Sequence, residues 1–259
     1  MDEEKTWAIV TGASSGLGAE FATALAARGV CPVLVARRDA PMRQLAARLH
    51  QDHGVDVHVE PLDLGDPGAA ADLHQRLRQK GIRPDILINN AAFGLSGRFL
   101  EQDPGRLRAM LQLDVVAATE LTQVFGRDMA ERGRGHILLV ASLAAHQPTP
   151  LLAAYGAAKS YILAFGEALH VELGPAVKVT VLSPGLMQTE FFDVSGYAPK
   201  ASLRRTMLPA SQVARIGLDA LFAGKPSVVA GALNAVMAFS ARLMPRHTAA
   251  AMALRMAEG

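Results

Sequence analysis

Short apolar runs rich in β-branched residues alternate along this chain with longer stretches of helical periodicity, which is the pattern of βαβ units on a parallel sheet. Seven runs are predicted strands: Trp7–Val10, Cys31–Ala36, Val55–Glu60, Ile86–Asn89, His136–Ala141, Val177–Leu182 and Ser227–Ala230. The run Ile86-Leu87-Ile88 does not alternate with polar residues, as expected of a central strand that is buried on both faces. Helices are predicted over Gly16–Arg28, Pro41–His53, Pro67–Lys80, Pro104–Arg132, Leu151–Leu173 and Ser211–Phe222.

Two Asp-Pro pairs, Asp66-Pro67 and Asp103-Pro104, mark predicted helix starts, because proline at the first helical position gives up an N–H that has no helical partner. We find no linker rich in Pro, Gly or Ser that divides the chain. The pattern therefore predicts a Rossmann-like α/β fold, a doubly wound parallel sheet of seven strands, in one catalytic domain over residues 1–230. Residues 231–259 are predicted to be a C-terminal helical extension of the same domain, in two pieces around Pro245.

Composition excludes several classes of protein. With 50% apolar and 19% charged residues among 259, the chain has ample material for a core and is not disordered. A net charge of +2 gives no indication of nucleic-acid binding. The single cysteine, Cys31, excludes an internal disulfide and fits a reducing compartment. We see no signal peptide and no apolar run of about 18 residues, so we expect a cytoplasmic protein without a transmembrane span.

The first predicted strand runs into a glycine-rich turn, Thr11-Gly12-Ala13-Ser14-Ser15-Gly16-Leu17-Gly18, which opens a helix. Glycines here permit a tight turn and a close approach of the backbone to a pyrophosphate, and a helix N-terminus offers N–H groups to phosphate. An ordinary strand–helix turn is the alternative. The candidate cofactor-binding residues of this turn are Gly12, Ser14, Ser15, Gly16, Leu17 and Gly18.

The second predicted strand ends in Ala36-Arg37-Arg38, where NAD-dependent enzymes usually carry a carboxylate for the ribose 2′-hydroxyl. Arginine suits a 2′-phosphate, so the sequence favours NADP(H) over NAD(H), with Arg37 and Arg38 as candidate contacts. That Arg38 is only a solvated surface charge stays an open alternative.

Tyr155 and Lys159 lie four residues apart in a predicted helix and therefore share one face. An ammonium beside a phenol favours the phenolate, so we expect Lys159 to lower the pKa of Tyr155 from about 10. Ser142 falls at the predicted end of the fifth strand, the edge of an open sheet where ligands bind. A Tyr-x-x-x-Lys spacing by itself is equally compatible with a surface pair.

The conjunction of these motifs is more specific than any one of them. Five motifs occur in this order along the chain: Thr11–Gly18, Asn89-Asn90-Ala91, Ser142, Tyr155-x-x-x-Lys159, and Ser183-Pro184-Gly185 followed by Thr189. In the order of these motifs the chain resembles the short-chain dehydrogenase/reductase family, from about residue 5 to residue 230. The resemblance implies that Tyr155 is the general acid of carbonyl reduction, that Lys159 binds the nicotinamide ribose and that Ser142 polarises the substrate carbonyl. It also implies cofactor contacts from Tyr155, Lys159, Asp63, Leu64, Asn90, Ala91, Pro184, Gly185 and Thr189.

Two positions depart from the family pattern. Ala92 stands where glycine is common, and Asp114, in Leu113-Asp114-Val115, stands where asparagine is usual beside the catalytic lysine. An ionised carboxylate accepts hydrogen bonds but donates none, and its charge offsets that of Lys159. We therefore place Asp114 in the candidate catalytic set and expect an altered pH profile; a tolerated polar replacement is the alternative.

The resemblance also places apolar side chains around a substrate. Candidate pocket residues are Phe93, Leu95, Leu143, Leu186, Met187 and Phe192. They favour a hydrophobic ketone or aldehyde, with oxidation of an alcohol as the reverse reaction. The alternatives are an NAD-dependent alcohol dehydrogenase and a non-catalytic dinucleotide-binding sensor. No metal site is expected, because His50 and His53 have no clustered cysteine or acid beside them. The helices predicted over Pro104–Arg132 and Leu151–Leu173 carry more apolar surface than one core needs, and the resemblance implies that such helices pair between subunits in a homodimer or homotetramer.

Overall fold

A computed structural model of the chain describes residues 5–187, 195–196 and 207–258. Its strands are β1 Trp7–Thr11, β2 Cys31–Ala36, β3 His58–Pro61, β4 Pro84–Asn89, β5 Gly135–Val140, β6 Val177–Ser183 and β7 Ser227–Val229. They form one sheet in the order β3-β2-β1-β4-β5-β6-β7, and every neighbouring pair is parallel. The predicted doubly wound fold is confirmed. The strand order reverses between β1 and β4, the point at which open α/β sheets bind their ligands.

Helices cover both faces of this sheet. They are α1 Gly16–Ala26, α2 Asp39–His53, α3 Ala69–Gln79, α4 Pro104–Leu111, α5 Ala118–Glu131, α6 Ala153–Leu173, α7 Ala210–Phe222, α8 Ala232–Ser240 and α9 Arg246–Glu258. Short 3₁₀ turns occupy Phe99–Glu101, Leu143–Ala145 and Ala241–Leu243. The helix predicted over Pro104–Arg132 is interrupted by a π-helical turn, Gln112–Ala117, that separates α4 from α5. The helices after β7 come in pieces on either side of Pro245, as predicted.

The core has two halves because the sheet is buried on both faces. Successive residues of the central strands point to opposite sides, so that Ile86 and Ile88 join the cluster under α1 and α7 while Leu87 joins the cluster under α3 and α5. All three are essentially inaccessible. The unbroken apolar run in this strand is thereby explained.

The two predicted Asp-Pro helix starts differ in outcome. Asp103 caps α4 as expected, since its carboxylate accepts a hydrogen bond from the backbone N–H of Arg106 at 2.7 Å. The Asp66-Pro67 prediction is wrong, because α3 begins only at Ala69, after Gly68 in the left-handed region at φ +79°. The Asp66 carbonyl instead accepts from the Ala69 N–H at 3.2 Å, so this pair forms a turn ahead of the helix.

The edge strand β3 carries a buried carboxylate, that of Glu60. His58 lies 2.7 Å from it, and Lys80 donates a hydrogen bond to the same oxygen. Burial by itself raises the pKa of Glu60, but the hydrogen bonds from Lys80 and His58 outweigh it and hold the pKa below the ordinary value. Within the described ranges, no helix is both long and apolar enough to cross a bilayer.

Candidate active site

Loops at the carboxyl edge of the sheet carry the residues predicted for the site, and Thr11 joins two of these loops. Its hydroxyl oxygen accepts hydrogen bonds from the backbone N–H groups of Asn90 and Ala91, both at 2.9 Å, and donates to the Ile88 carbonyl at 3.2 Å. The Asn90 side chain returns a hydrogen bond to the Thr11 carbonyl at 2.9 Å. The end of β1 and the end of β4 are therefore fixed against each other at the point where the strand order reverses.

The glycine-rich turn packs so closely that side chains have no room at two positions. A Cβ at Gly18 would lie 2.2 Å from the Gly12 carbonyl oxygen, and a Cβ at Gly12, whose φ is +67°, would lie 2.9 Å from the Asn90 side-chain nitrogen. The Ser15 side chain makes no capping hydrogen bond to α1, and the first turn of this helix carries no acid. The turn thus presents backbone N–H groups and the positive end of a helix dipole, which fits a dinucleotide pyrophosphate.

The two arginines after β2 take different places. The guanidinium of Arg38 donates hydrogen bonds to the hydroxyls of Ser14, at 3.1 Å, and Ser15, at 2.8 Å, so it lies over the glycine-rich turn. Arg37 is 76% exposed and approaches the Asp63 carboxylate at 3.7 Å. Asp63 also accepts a hydrogen bond from the Gly65 N–H at 2.9 Å, and its neighbour Leu64 is buried. Of the two cations, Arg38 is the one in contact with the turn.

The loop after β6 lies against the loop after β5. The Leu143 N–H donates to the Pro184 carbonyl at 2.7 Å. A Cβ at Gly185 would lie 2.3 Å from the side-chain nitrogen of Asn234, which comes from α8. Sequence analysis did not single out Asn234, because one amide in an apolar stretch belongs to no motif. Two predicted site residues of this region, Thr189 and Phe192, lie outside the described residues.

Tyr155, Lys159 and Ser142 come together where α6 passes the end of β5. Tyr155 and Lys159 are both buried, and the Lys159 ammonium lies 5.7 Å from the centre of the Tyr155 ring. Tyr155 is hydrogen-bonded to Ser142. The Lys159 ammonium also donates to the Val140 carbonyl at 3.2 Å, which holds it to the last residue of the strand.

Burial raises the pKa of Tyr155 well above its ordinary value, and the negative charge of Asp114 adds to the rise; the hydrogen bond with Ser142 opposes it. The expected fall of this pKa below about 10 is therefore wrong for this structure, since burial and the Asp114 charge outweigh the contributions that lower it. The physical reason is that the phenol is removed from water and that the Asp114 carboxylate lies against the same ammonium. At neutral pH the phenol carries its proton.

Asp114 lies in the π-helical turn and is 1% exposed. One carboxylate oxygen accepts a hydrogen bond from the Phe93 N–H at 3.0 Å, and the other lies 3.4 Å from the Lys159 ammonium. Burial raises the pKa of Asp114, and the charge of Lys159 works against that rise. The oxygen that faces Lys159 is buried and has no hydrogen-bond partner, so it contacts the ammonium as an ion pair, which an uncharged amide at this position would not form.

Apolar side chains adjoin Tyr155 on the side of the β4 loop. Leu95 and Met110 are buried in one cluster with Tyr155, and Phe93 packs against this cluster. Leu143 and Leu186 are partly buried beside Ser142 and Gly185 in the chain, whereas Met187 packs against the core under α1 and α7. The Tyr155 side chain is therefore packed against an apolar cluster.

Comparison with known proteins gives a family match for most of the chain. The sequence profile described as short chain dehydrogenase matches residues 6–197. A probable oxidoreductase, EphD, of Mycobacterium tuberculosis (strain ATCC 25618 / H37Rv) is 32% identical over 194 residues, which are 74% of this chain and 33% of that protein. A very-long-chain 3-oxoacyl-CoA reductase of Anas platyrhynchos is 31% identical over 196 residues, 73% of this chain and 62% of that protein. The chain thus spans between one third and two thirds of the length of these curated relatives.

Solved structures resemble the chain over most of its length. A short-chain dehydrogenase from Sphingobium yanoikuyae in complex with NADPH has a TM-score of 0.79 and 30% identity, with 86% of this chain and 87% of that chain covered. The bulky-bulky ketone specific alcohol dehydrogenase from Comamonas testosteroni has a TM-score of 0.77 and 28% identity, with 92% of each chain covered.

Proposed function

This chain belongs to the short-chain dehydrogenase/reductase family, and we propose that it is an NADPH-dependent oxidoreductase that reduces the carbonyl group of hydrophobic ketones or aldehydes. The observation that carries the proposal is a buried Tyr155 phenol, held between Ser142 and Lys159 and set against an apolar cluster. The relatives point the same way, since one neighbour was solved with NADPH and others are named for ketones or 3-oxoacyl substrates.

Tyr155 is the residue that transfers the proton in this site. A phenol with the ordinary tyrosine pKa of about 10 is already protonated at neutral pH, and the raised pKa here keeps it so; it donates that proton to the carbonyl oxygen as negative charge develops there. The Ser142 hydroxyl is hydrogen-bonded to the phenol, so a carbonyl oxygen that takes the place of this hydrogen bond would accept from both hydroxyls. The hydride comes from the nicotinamide of the bound cofactor, which is the chemistry that NADPH supplies.

The other side chains hold this arrangement. Lys159 is fixed by the Val140 carbonyl and by Asp114, so its positive charge stays beside the Tyr155 ring and stabilises the phenolate left after proton transfer. The apolar cluster of Leu95 and Met110 excludes water from the phenol, which strengthens each of these electrostatic interactions.

The cofactor fits the glycine-rich turn and the cation above it. The closely packed turn and the N-terminus of α1 would hold the pyrophosphate, and Arg38 would hold the 2′-phosphate, with Arg37 beside it. Asn90, Ala91, Asp63, Leu64, Pro184, Gly185 and Thr189 remain the proposed further contacts.

The decisive experiment measures loss of NADPH absorbance by the purified chain with a bulky aryl ketone, for the wild type, Tyr155→Phe and a matched control, Tyr161→Phe. Tyr161 lies on the same helix but is partly exposed, with its hydroxyl 3.0 Å from that of Thr119. We expect Tyr155→Phe to lower kcat by about 10²–10⁴-fold with NADPH affinity retained. Turnover unaffected by Tyr155→Phe would overturn the proposal, and NADPH binding without any turnover would favour the sensor.

We further propose that residues 1–230 form the catalytic domain with 231–259 as its extension, that the protein acts in the cytoplasm, and that it pairs with a second copy. Apolar side chains at Val116 and Tyr161 are exposed on one side of the fold, where a copy would cover them. Sedimentation velocity of the wild type and Val116→Glu tests the pairing; the variant is expected to be monomeric.

A further inference from the structure

The short helix α8 exposes an almost entirely apolar surface. Asn234 and Ala238 fix one side of it in the protein and are buried. Because a helix turns about 100° per residue, the side chains on the remaining arc lie side by side. On that arc and in the 3₁₀ turn after it, the exposed apolar residues are Leu233, Val236, Met237, Phe239 and Leu243. Phe239 is 62% exposed and Leu243 76%, values at which core residues are never found.

The charged residues of the chain segment that forms this surface have one sign. From Ala220 to Ala257 the sequence contains no Asp or Glu, whereas Arg242, Arg246 and Arg255 are all exposed in the same stretch. Arg242 directly precedes Leu243, and Arg246 opens α9. Within this stretch of the chain, the apolar helix face is thus flanked by arginines, while the nearby α6 carries Glu167, whose charge acts on His146 together with that of Arg242.

We propose that this lipid-facing surface, formed by α8, the turn Ala241–Leu243 and the start of α9, docks on the surface of a bilayer that contains anionic phospholipid. Helices that lie in the plane of a membrane combine Phe and Leu on one side with arginine or lysine beside them, and anionic headgroups attract juxtaposed cations. The apolar side chains enter the acyl boundary while Arg242 and Arg246 meet the headgroup phosphates.

A second copy of the chain fits this surface less well. In a two-fold symmetric pair the same patch faces itself, so Arg242 and Arg246 of one copy would approach those of the other, with no acid in the patch to offset them. Like charges at an interface oppose association, whereas an anionic bilayer neutralises them.

The surface adjoins the candidate active site. Asn234 of α8 packs on Gly185, directly after the strand end that flanks Ser142. Burial lowers the pKa of His146, four residues past Ser142, and the charge of Arg242 lowers it further, so the turn after α8 faces the loop after β5. Docking would therefore bring the mouth of the site against the bilayer, where apolar carbonyl compounds dissolve. The docking itself does not depend on the proposed reductase activity.

The test is sedimentation of the purified full chain with vesicles of phosphatidylcholine containing about 30% phosphatidylglycerol, or of phosphatidylcholine alone, at about 50 mM and about 500 mM salt. We expect binding to the anionic vesicles that weakens at high salt. Arg242→Gln with Arg246→Gln should weaken it by about 30-fold, at about fivefold for each arginine. Phe239→Gln with Leu243→Gln should weaken it by at least about tenfold at both salt concentrations.

Val171→Gln is the matched control, because Val171 is also highly exposed but lies sixteen residues beyond Tyr155, about 24 Å farther along α6. It should bind vesicles like the wild type. The proposal would be overturned if the wild type did not sediment with anionic vesicles, or if the Phe239→Gln/Leu243→Gln variant bound them as tightly as the wild type. So would a wild-type dimer that this variant converts to a monomer, since the surface would then join two copies. A parallel NADPH titration separates failure of docking from failure of the proposed function.

Discussion

Replacing Asp114 by asparagine changes the charge at the centre of the site with almost no change in volume. The carboxylate lies 3.4 Å from the Lys159 ammonium and accepts from the Phe93 N–H at 3.0 Å. An amide accepts from only one of these donors and turns its own NH₂ group toward the other. Asp114→Asn therefore leaves the Lys159 charge without its counterion beside Tyr155.

The size of the effect follows from the distances. At an effective dielectric constant of about 20, the attraction across 3.4 Å between Asp114 and Lys159 is about 5 kcal/mol, most of which the desolvation of the buried carboxylate offsets. Because Asp114→Asn leaves the buried Lys159 charge uncompensated, we expect the free energy of unfolding to fall by about 3–5 kcal/mol. The Asp114 charge is one of the causes that raise the pKa of Tyr155, and Lys159 keeps its charge in the variant, so Asp114→Asn should lower the pKa of Tyr155.

Tyrosinate absorbance measures this shift directly and needs no substrate. The chain has three tyrosines, and repeating each titration in a Tyr155→Phe background isolates the contribution of Tyr155. The signs for activity follow: a lower pKa moves the alkaline loss of carbonyl reduction to lower pH and lets alcohol oxidation begin at lower pH. Asp52→Asn, an exposed acid on α2, is the control and should shift nothing. A Tyr155 transition that stays in place or rises in Asp114→Asn would refute the reasoning.

Three further predictions concern the scaffold. Gly166→Ala should lower the free energy of unfolding in urea by about 1–3 kcal/mol, because the Cβ of the alanine would lie 2.3 Å from the Val181 side chain in the core. A change near zero would show that the surrounding side chains move to make room for the Cβ. Glu60→Gln should cost about 1–2 kcal/mol at pH 7, since two of its partners reach solvent. The pKa of Glu60 is lower in the folded protein than in the unfolded chain, so the difference in the free energy of unfolding between wild type and Glu60→Gln is fully present above the pKa of the unfolded chain. The difference vanishes as the pH falls through the pKa of the folded protein. Urea unfolding at several pH values measures it. Thr11→Val should cost about 1–3 kcal/mol and weaken NADPH binding, whereas Thr11→Ser should restore both; a valine variant as stable as wild type would exclude the role given to the hydroxyl.

The order of the elements was predictable because it follows from local patterns. The non-alternating run at Ile86–Ile88 identified a strand buried on both faces, and the Asp103-Pro104 cap gave the start of α4. The Asp66-Pro67 pair carries the same local signal, yet α3 starts two residues later, since the glycine at 68 takes the left-handed conformation that begins the helix. Local propensity sets the existence of an element more reliably than its first residue.

The chemistry of the site was predictable in its residues but less so in its electrostatics. Sequence spacing brought Tyr155 and Lys159 onto one helix face, but burial of the phenol, which reverses the sign of its pKa shift, depends on residues far away in the chain. The π-helical turn that holds Asp114 likewise has no local signature. Which of Arg37 and Arg38 reaches the glycine-rich turn depends on side-chain torsions that no pattern encodes.

The proposed function requires that NADPH bind through the turn at Thr11–Gly18 and Arg38, which lies over this turn. Calorimetric titration of NADPH and NADH into the wild type, Arg38→Gln and Arg37→Gln tests it most directly. The structure predicts that NADPH binds the wild type more tightly than NADH by about 10–100-fold, the worth of a charge-assisted contact, and that Arg38→Gln removes more of this preference than Arg37→Gln does. Equal binding of the two cofactors, a preference for NADH, or a preference untouched by either substitution would contradict it.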